Sequence, residues 1–263
     1  MDLQLNGKKA LVTGASQGLG LATARGLAQE GCAVAINSRN PQKLETAVKN
    51  LEIESGSKVI ALPADLVDPQ AAKTIVDQSA AILGGLDLLV TNTGGPPAGK
   101  FETFDDETWQ QAVELSFLNH VRLIRAALPY LRQSTAPSVL TITSITVKEP
   151  LPNLILSNSV RMATAGLTKS LAQELGPEGI RFNSILPGWT ATERVKHLME
   201  QRALMNATSS EDEFKKQTAA IPLGRMGDPQ EFARVAVFLL SPAASYVNGV
   251  MLQVDGGLYS GTL

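Results

Sequence analysis

Seven short apolar runs, at positions 9–13, 34–37, 59–63, 86–92, 138–143, 181–186 and 250–254, recur along the chain and are predicted to be β-strands. Between them apolar residues return at helical spacing, with no internal repeat and no low-complexity tract. Strand and helix in alternation imply an α/β fold, a doubly wound parallel sheet of about seven strands covered by helices on both faces. On such a sheet a nucleotide lies across the carboxyl ends of the strands. The irregular stretch is 191–227, where 192–199 is predicted as a helix and the charged, Ser-rich 206–216 begins another. Its Leu198, Met199, Leu204, Met205 and Phe214 either line an apolar pocket or pack the segment down, and packing is the expectation for most of them. The next helix, 228–240, opens with Asp228-Pro229 and puts Phe232, Val235, Ala236 and Leu239 on one face, for the core or a subunit interface.

Composition narrows the class. At 263 residues, 44% hydrophobic and 18% charged, the chain suits a single domain over 1–263 with a large core. A net charge of −2 gives no basic footprint, so nucleic acid is not an expected partner. The single cysteine, Cys32, excludes an intrachain disulfide and is expected to be a small buried hydrophobe. No apolar run approaches 18 residues, so no membrane span is predicted, and Met1-Asp2-Leu3-Gln4-Leu5 lacks a basic, apolar signal segment. A cytoplasmic protein without a metal site is the expectation.

The strongest chemical signal follows the first strand. Gly14-Ala15-Ser16-Gln17-Gly18-Leu19-Gly20 joins that strand to the helix that begins near Leu21. Glycines at 14, 18 and 20 let the backbone turn tightly and approach a pyrophosphate, while the helix start offers unpaired N–H groups and a positive dipole end. The second strand ends in Asn37-Ser38-Arg39, where an acidic residue would hold a ribose 2′-hydroxyl. A hydroxyl and a guanidinium suit a 2′-phosphate instead, so NADP(H) is the expected cofactor, with NAD(H) as the alternative.

With Thr13 before it and Gly-x3-Gly-x-Gly spacing, this turn resembles that of the short-chain dehydrogenase/reductase family, and the resemblance extends over almost the whole chain. Asp65-Leu66 resembles the segment that contacts adenine, and Thr91-Asn92-Thr93-Gly94 resembles the family's Asn-Asn-Ala-Gly turn. Pro187-Gly188-Trp189-Thr190-Ala191-Thr192 is similar to its Pro-Gly turn beside the nicotinamide, and Val254-Asp255-Gly256-Gly257 to its C-terminal strand. The resemblance implies a Rossmann-type fold, a cofactor site built from Gly14, Ser16, Gln17, Gly18, Leu19, Gly20, Ser38, Arg39, Asp65, Leu66, Asn92, Thr93, Gly94, Arg161, Pro187, Gly188, Thr190 and Thr192, and a substrate lid over 191–227. It also implies a homodimer or homotetramer, because the family commonly pairs the helices that correspond to 103–131 and 160–175.

The same register exposes departures. Aligned through the helix around Gly166–Leu175, the family's Tyr-x3-Lys falls on Ser157 and Arg161. The family's serine, thirteen residues before that tyrosine, is kept as Ser144, whereas its helix-four asparagine falls on Ser116. Val147-Lys148-Glu149-Pro150 followed by Leu156-Ser157-Asn158-Ser159-Val160-Arg161 resembles a divergent, 3-oxoacyl-(acyl carrier protein)-reductase-like subgroup without the Tyr-x3-Lys pair. The loss matters because hydride transfer to a carbonyl requires a proton on its oxygen, which a phenol beside an ammonium supplies near neutral pH. An aliphatic hydroxyl is shorter and a weaker acid, and a guanidinium cannot join a proton relay.

Lys148, four residues after Ser144, is the first candidate for a replacement acid; its plain alternative is a solvated loop lysine. His120, one helical turn after Ser116, and His197, after Thr192, come next, against packed or surface roles. Three functions compete: a carbonyl reductase or alcohol dehydrogenase with an altered catalytic tetrad, a nucleotide-binding protein with little turnover, and a non-redox enzyme on the same scaffold. A small-molecule carbonyl or alcohol is the expected substrate.

Overall fold

The computed structural model describes residues 1–262. Seven parallel strands form one sheet: β1 (Lys9–Val12), β2 (Ala33–Ser38), β3 (Val59–Pro63), β4 (Leu88–Thr91), β5 (Ser138–Ile142), β6 (Arg181–Pro187) and β7 (Met251–Val254). Their order across the sheet is β3-β2-β1-β4-β5-β6-β7. The order reverses between β1 and β4, which places the ligand crevice of an open α/β sheet at the carboxyl ends of those strands.

Alternation along each strand feeds two cores. Ala10 and Val12 of β1 join the apolar layer under α1 (Gly18–Gln29), α2 (Pro41–Ser55) and α9 (Pro229–Leu240). Leu11 faces the other way, into the layer under α3 (Ala71–Leu83), α5 (Asn119–Leu131) and the end of α6 (Ile155–Glu174). Buried on both sides, the strands need no polar face, which is why they read as continuous apolar runs. Phe232, Ala236 and Leu239 are buried and Val235 packs beside them, so this face of α9 belongs to the core. Cys32 is fully buried, donates to Leu5 O at 3.3 Å, and has its thiol pushed up to about 12 by burial.

The helix ends carry their own stop and start signals. Asn40 caps α2 through Lys43 N, Asp228 and Glu231 form a capping box on α9, and left-handed Gly56 and Gly84 close α2 and α3. The stretch predicted as continuous helix over 103–131 is broken in the structure. It comprises α4 (Asp106–Val113), a π-turn over Glu114–Leu118 and then α5. In the π-turn Asn119 N donates to Glu114 O, five residues back, and Thr164 Oγ1 of α6 donates to Ser116 O at 2.6 Å.

The stretch after β6 forms α7 (Glu193–Asn206), capped by Thr192, and α8 (Ser210–Ala219), opened by a Ser209–Asp212 capping box. Packing was the expectation for its apolar residues, and Met199 meets it, being 2% exposed. Leu204, Met205 and Phe214 do not: they are 85%, 59% and 42% exposed, because they lie on the outward side of two short helices with little sheet to cover. No helix among the described residues is long and apolar enough to cross a membrane, and none of their side chains form a metal-ligating cluster.

Candidate active site

The glycine turn is held from below by β4. Thr13 Oγ1 donates to Asn92 O and accepts from Asn92 N, each at 2.9 Å, and Asn92 Nδ2 donates to Gly14 O at 3.0 Å. Gly14, at φ +58°, passes so close that a Cβ would sit 2.7 Å from Asn92 O, and a Cβ on Gly20 would collide with Gly14 O. The backbone therefore runs where only glycine fits. Helix α1 starts at Gly18 with no side-chain cap from Gln17 and no acid in its first turn. Its first amides are left to bond something outside the helix.

A cavity of about 610 Å³ opens above this turn, lined at its centre by Gly14, Ser16, Gln17, Gly18 and Leu19. Ser38 and Arg39 line one end with Asn40 and Lys43, and Lys43 Nζ donates to Gln17 Oε1 at 3.1 Å. Asp65 and Leu66 close that end from β3, with Asp65 Oδ2 4.0 Å from an Arg39 Nη1. Asn92, Thr93 and Gly94 from β4 and Thr192 from the cap of α7 line the rest. These predicted cofactor residues are thus one surface. Gly20 lies behind it, and Pro187, Gly188, Thr190 and Arg161 do not line the cavity. The β6 end is fixed instead by Gly188 N donating to Val254 O at 3.0 Å and by a bridge between Thr190 and Gly227.

Ser144, Ser157 and Arg161 gather at the end of β5, outside the lining of that cavity. Ser144 Oγ accepts from Thr146 N at 3.2 Å, and Thr146 Oγ1 lies 3.0 Å from Ser157 Oγ, so two serines are linked through a buried threonine. Arg161, on the same helix as Ser157 and 7% exposed, donates from Nη1 to Thr143 O at 3.0 Å and to Ile142 O at 3.4 Å. No carboxylate pairs with it among the described residues, and burial, with Arg194's charge adding, pushes its pKa down to about 10. Lys148 follows the 3-10 turn Ile145–Val147 and is half-buried.

Ser116 and His120 are fully buried. His120 Nδ1 lies 2.8 Å from Thr91 Oγ1, while its Nε2, Ser116 Oγ, Thr93 Oγ1 and both amide atoms of Asn119 have no hydrogen-bond partner. Desolvation first, and Arg161's charge second, push the His120 pKa down to about 3, so its ring is neutral near pH 7 and offers no imidazolium proton. His197 sits elsewhere, exposed on α7 and 3.3 Å from Glu200. Its position on an outward helix face removes it from this cluster.

Four site residues escaped the sequence reading: Lys43, Asn119, Thr146 and Arg194. Lys43, four residues after Arg39 and in the first turn of a Pro-started helix, carried a usable signal. Thr146, Asn119 and Arg194 reach the site only through the β5 turn, the π-turn and the fold-back of α7.

A family model described as enoyl-(acyl carrier protein) reductase matches residues 14–259. Among curated relatives, gluconate 5-dehydrogenase of Gluconobacter oxydans is 33% identical over 258 residues, covering 97% of this chain and 95% of its own. L-Sorbose reductase from Gluconobacter frateurii, solved with NADPH and L-sorbose, superposes with a TM-score of 0.94 at 30% identity, covering 99% of this chain and 100% of its own. An NADPH-bound short-chain oxidoreductase from Pseudomonas aeruginosa PAO1, described as containing an atypical catalytic center, superposes with a TM-score of 0.88 at 30% identity over 97% of this chain and 98% of its own. Likeness of this extent, in sequence and in overall fold alike, makes the chain a member of the short-chain dehydrogenase/reductase family.

Proposed function

We propose that the protein is an NADP(H)-dependent oxidoreductase that interconverts a small-molecule carbonyl and its alcohol, with NAD(H) bound more weakly. The observation that carries this reading is the 610 Å³ cavity, whose floor is a glycine cradle under a free helix start and whose end presents Ser38, Arg39 and Lys43. The cradle fits a pyrophosphate, and the hydroxyl, guanidinium and ammonium fit a 2′-phosphate. That L-sorbose reductase and the Pseudomonas oxidoreductase were both solved with NADPH supports it. Titration of the protein into NADPH and NADH, followed by nicotinamide fluorescence, tests it; tighter NADPH binding is expected.

At the carbonyl end, a bound nicotinamide supplies or accepts the hydride, and the protein must move a proton at the substrate oxygen. Ser144, its oxygen already accepting from Thr146 N, keeps its own hydroxyl hydrogen to donate to that oxygen. Arg161, held by the carbonyls of Ile142 and Thr143, contributes a buried positive charge that favours an alkoxide over the neutral carbonyl. Lys148 is the proposed acid, with Ser157 and Ser116 as polar positions rather than proton donors. The altered tetrad is in keeping with the atypical center described for the Pseudomonas neighbour. Lys148→Met is expected to lower turnover about a hundredfold with little change in NADPH affinity.

A second reading, nucleotide binding with little turnover, is favoured by one observation: Ser157 Oγ is tied to Thr146 and Arg161 to two strand carbonyls, so neither reaches freely toward a substrate. A panel of carbonyl compounds separates the two, since the second predicts binding without oxidation of NADPH. In either case we take 1–263 as a single domain and 191–227 as its lid.

A further inference from the structure

Arg194 is the second residue of α7, and its guanidinium lies close against the loop after β4: a Cβ on Gly95 would strike it. Its one hydrogen bond is long, 3.4 Å from Nη2 to Pro96 O. No carboxylate pairs with it among the described residues, although Glu193 lines the same cavity. Arg194 is exposed, yet enough protein surrounds its guanidinium to hold its pKa below the usual arginine range, and its charge is felt by Arg161. A cation so placed, weakly bonded and without a counter-ion, is poised for an anion in the cavity.

The position of α7 says which anion. A Cβ at Gly18 would sit 3.7 Å from Thr192 Cγ2, in ordinary contact, so the uncapped start of α1 and the start of α7 lie side by side on the cavity wall. Asn119, 1% exposed, lines the same cavity with both amide atoms unpartnered, a further sign that a polar ligand completes this wall. We propose that Arg194 is a diphosphate clasp: carried at the start of α7, next to the α1 amides, it bonds the bridging diphosphate of the dinucleotide that those amides receive. The proposal rests on the cofactor reading above and names a contact that reading does not require.

The test is equilibrium binding of three probes, NADPH, NADH and 2′-AMP, to the unmutated protein, Arg194→Met, Arg194→Lys and Arg39→Ala. A lost charge-assisted hydrogen bond corresponds to about a tenfold to a hundredfold change in Kd. Arg194→Met is expected to weaken NADPH and NADH by the same factor in that range and to leave 2′-AMP, which lacks the diphosphate, unchanged. Arg194→Lys should fall between, keeping the charge without the fork. Arg39→Ala should give the opposite pattern, weakening NADPH and 2′-AMP but not NADH. Unchanged dinucleotide affinity in Arg194→Met overturns the clasp while the cofactor reading stands, and a raised KM for an acidic substrate would then assign the guanidinium to that substrate. Equal losses for all three probes would also overturn it, since they mark a general disturbance of the fold. Failure of the unmutated protein to bind either dinucleotide removes the cofactor reading and the clasp with it.

Discussion

At the scale of single residues, charge and steric room decide most of the site. That Ser38 and Arg39 line the cavity was legible because they follow a strand end at the carboxyl edge of the sheet; the place of Thr146 was not, because its hydroxyl meets Ser157 only once the β5 turn and α6 are packed. Arg39→Ala should cost most of the preference for NADPH over NADH, on the order of 1.5–3 kcal/mol, read as a ratio of dissociation constants. An unchanged ratio would assign the 2′-phosphate to Lys43. His120 gives a pH signature. Its folded pKa of about 3 lies below its ordinary 6.5, so the unfolded chain takes up a proton that the folded chain refuses as pH falls from 6.5 toward 3. The stability it contributes is complete above pH 6.5 and is lost below it, by about 1.4 kcal/mol per unit. The only other histidine, His197, is exposed, so denaturant unfolding at pH 7 and pH 5 isolates the effect. The drop should be about 2 kcal/mol and should shrink in His120→Gln; equal drops would show that the ring is not excluded from solvent.

At the scale of elements, apolar periodicity placed all seven strands, the ends shifting by a residue or two where the last side chain turns into a loop, as with 86–92 against Leu88–Thr91. Those runs were readable because burial on both faces leaves nothing else for them to be. The break in 103–131 was not readable. A π-turn has the same apolar residues as an α-helix, and the tie that accompanies it, Thr164 Oγ1 to Ser116 O, comes from a helix about fifty residues away. Thr164→Val should leave that buried carbonyl unpartnered and destabilise the fold by about 1–3 kcal/mol in denaturant unfolding. A smaller loss would mean that another donor takes over. The two helices of 191–227 were anticipated in outline, but not that Leu204, Met205 and Phe214 face outward, since periodicity shows a stripe and not what covers it.

At the scale of the whole molecule, the sheet order and the glycine turn put a cavity at the carboxyl ends of β1 and β4, and apolar residues remain on the surface. Phe101, Val113 and Met162, on or beside α4 and α6, are 68%, 36% and 52% exposed, beyond what the sheet requires. A dimer or tetramer is expected, and light scattering at micromolar concentration should return two or four times 27.9 kDa; the single-chain mass would contradict it. More narrowly, we propose that the cavity above Gly14, Gly18 and Gly20 holds NADP(H) in preference to NAD(H). Side-by-side fluorescence titrations of NADPH and NADH with the unmutated protein test it most directly. Saturable binding of both is expected, with NADPH tighter by about tenfold to a hundredfold. Equal dissociation constants, a preference for NADH, or no binding of either would contradict it.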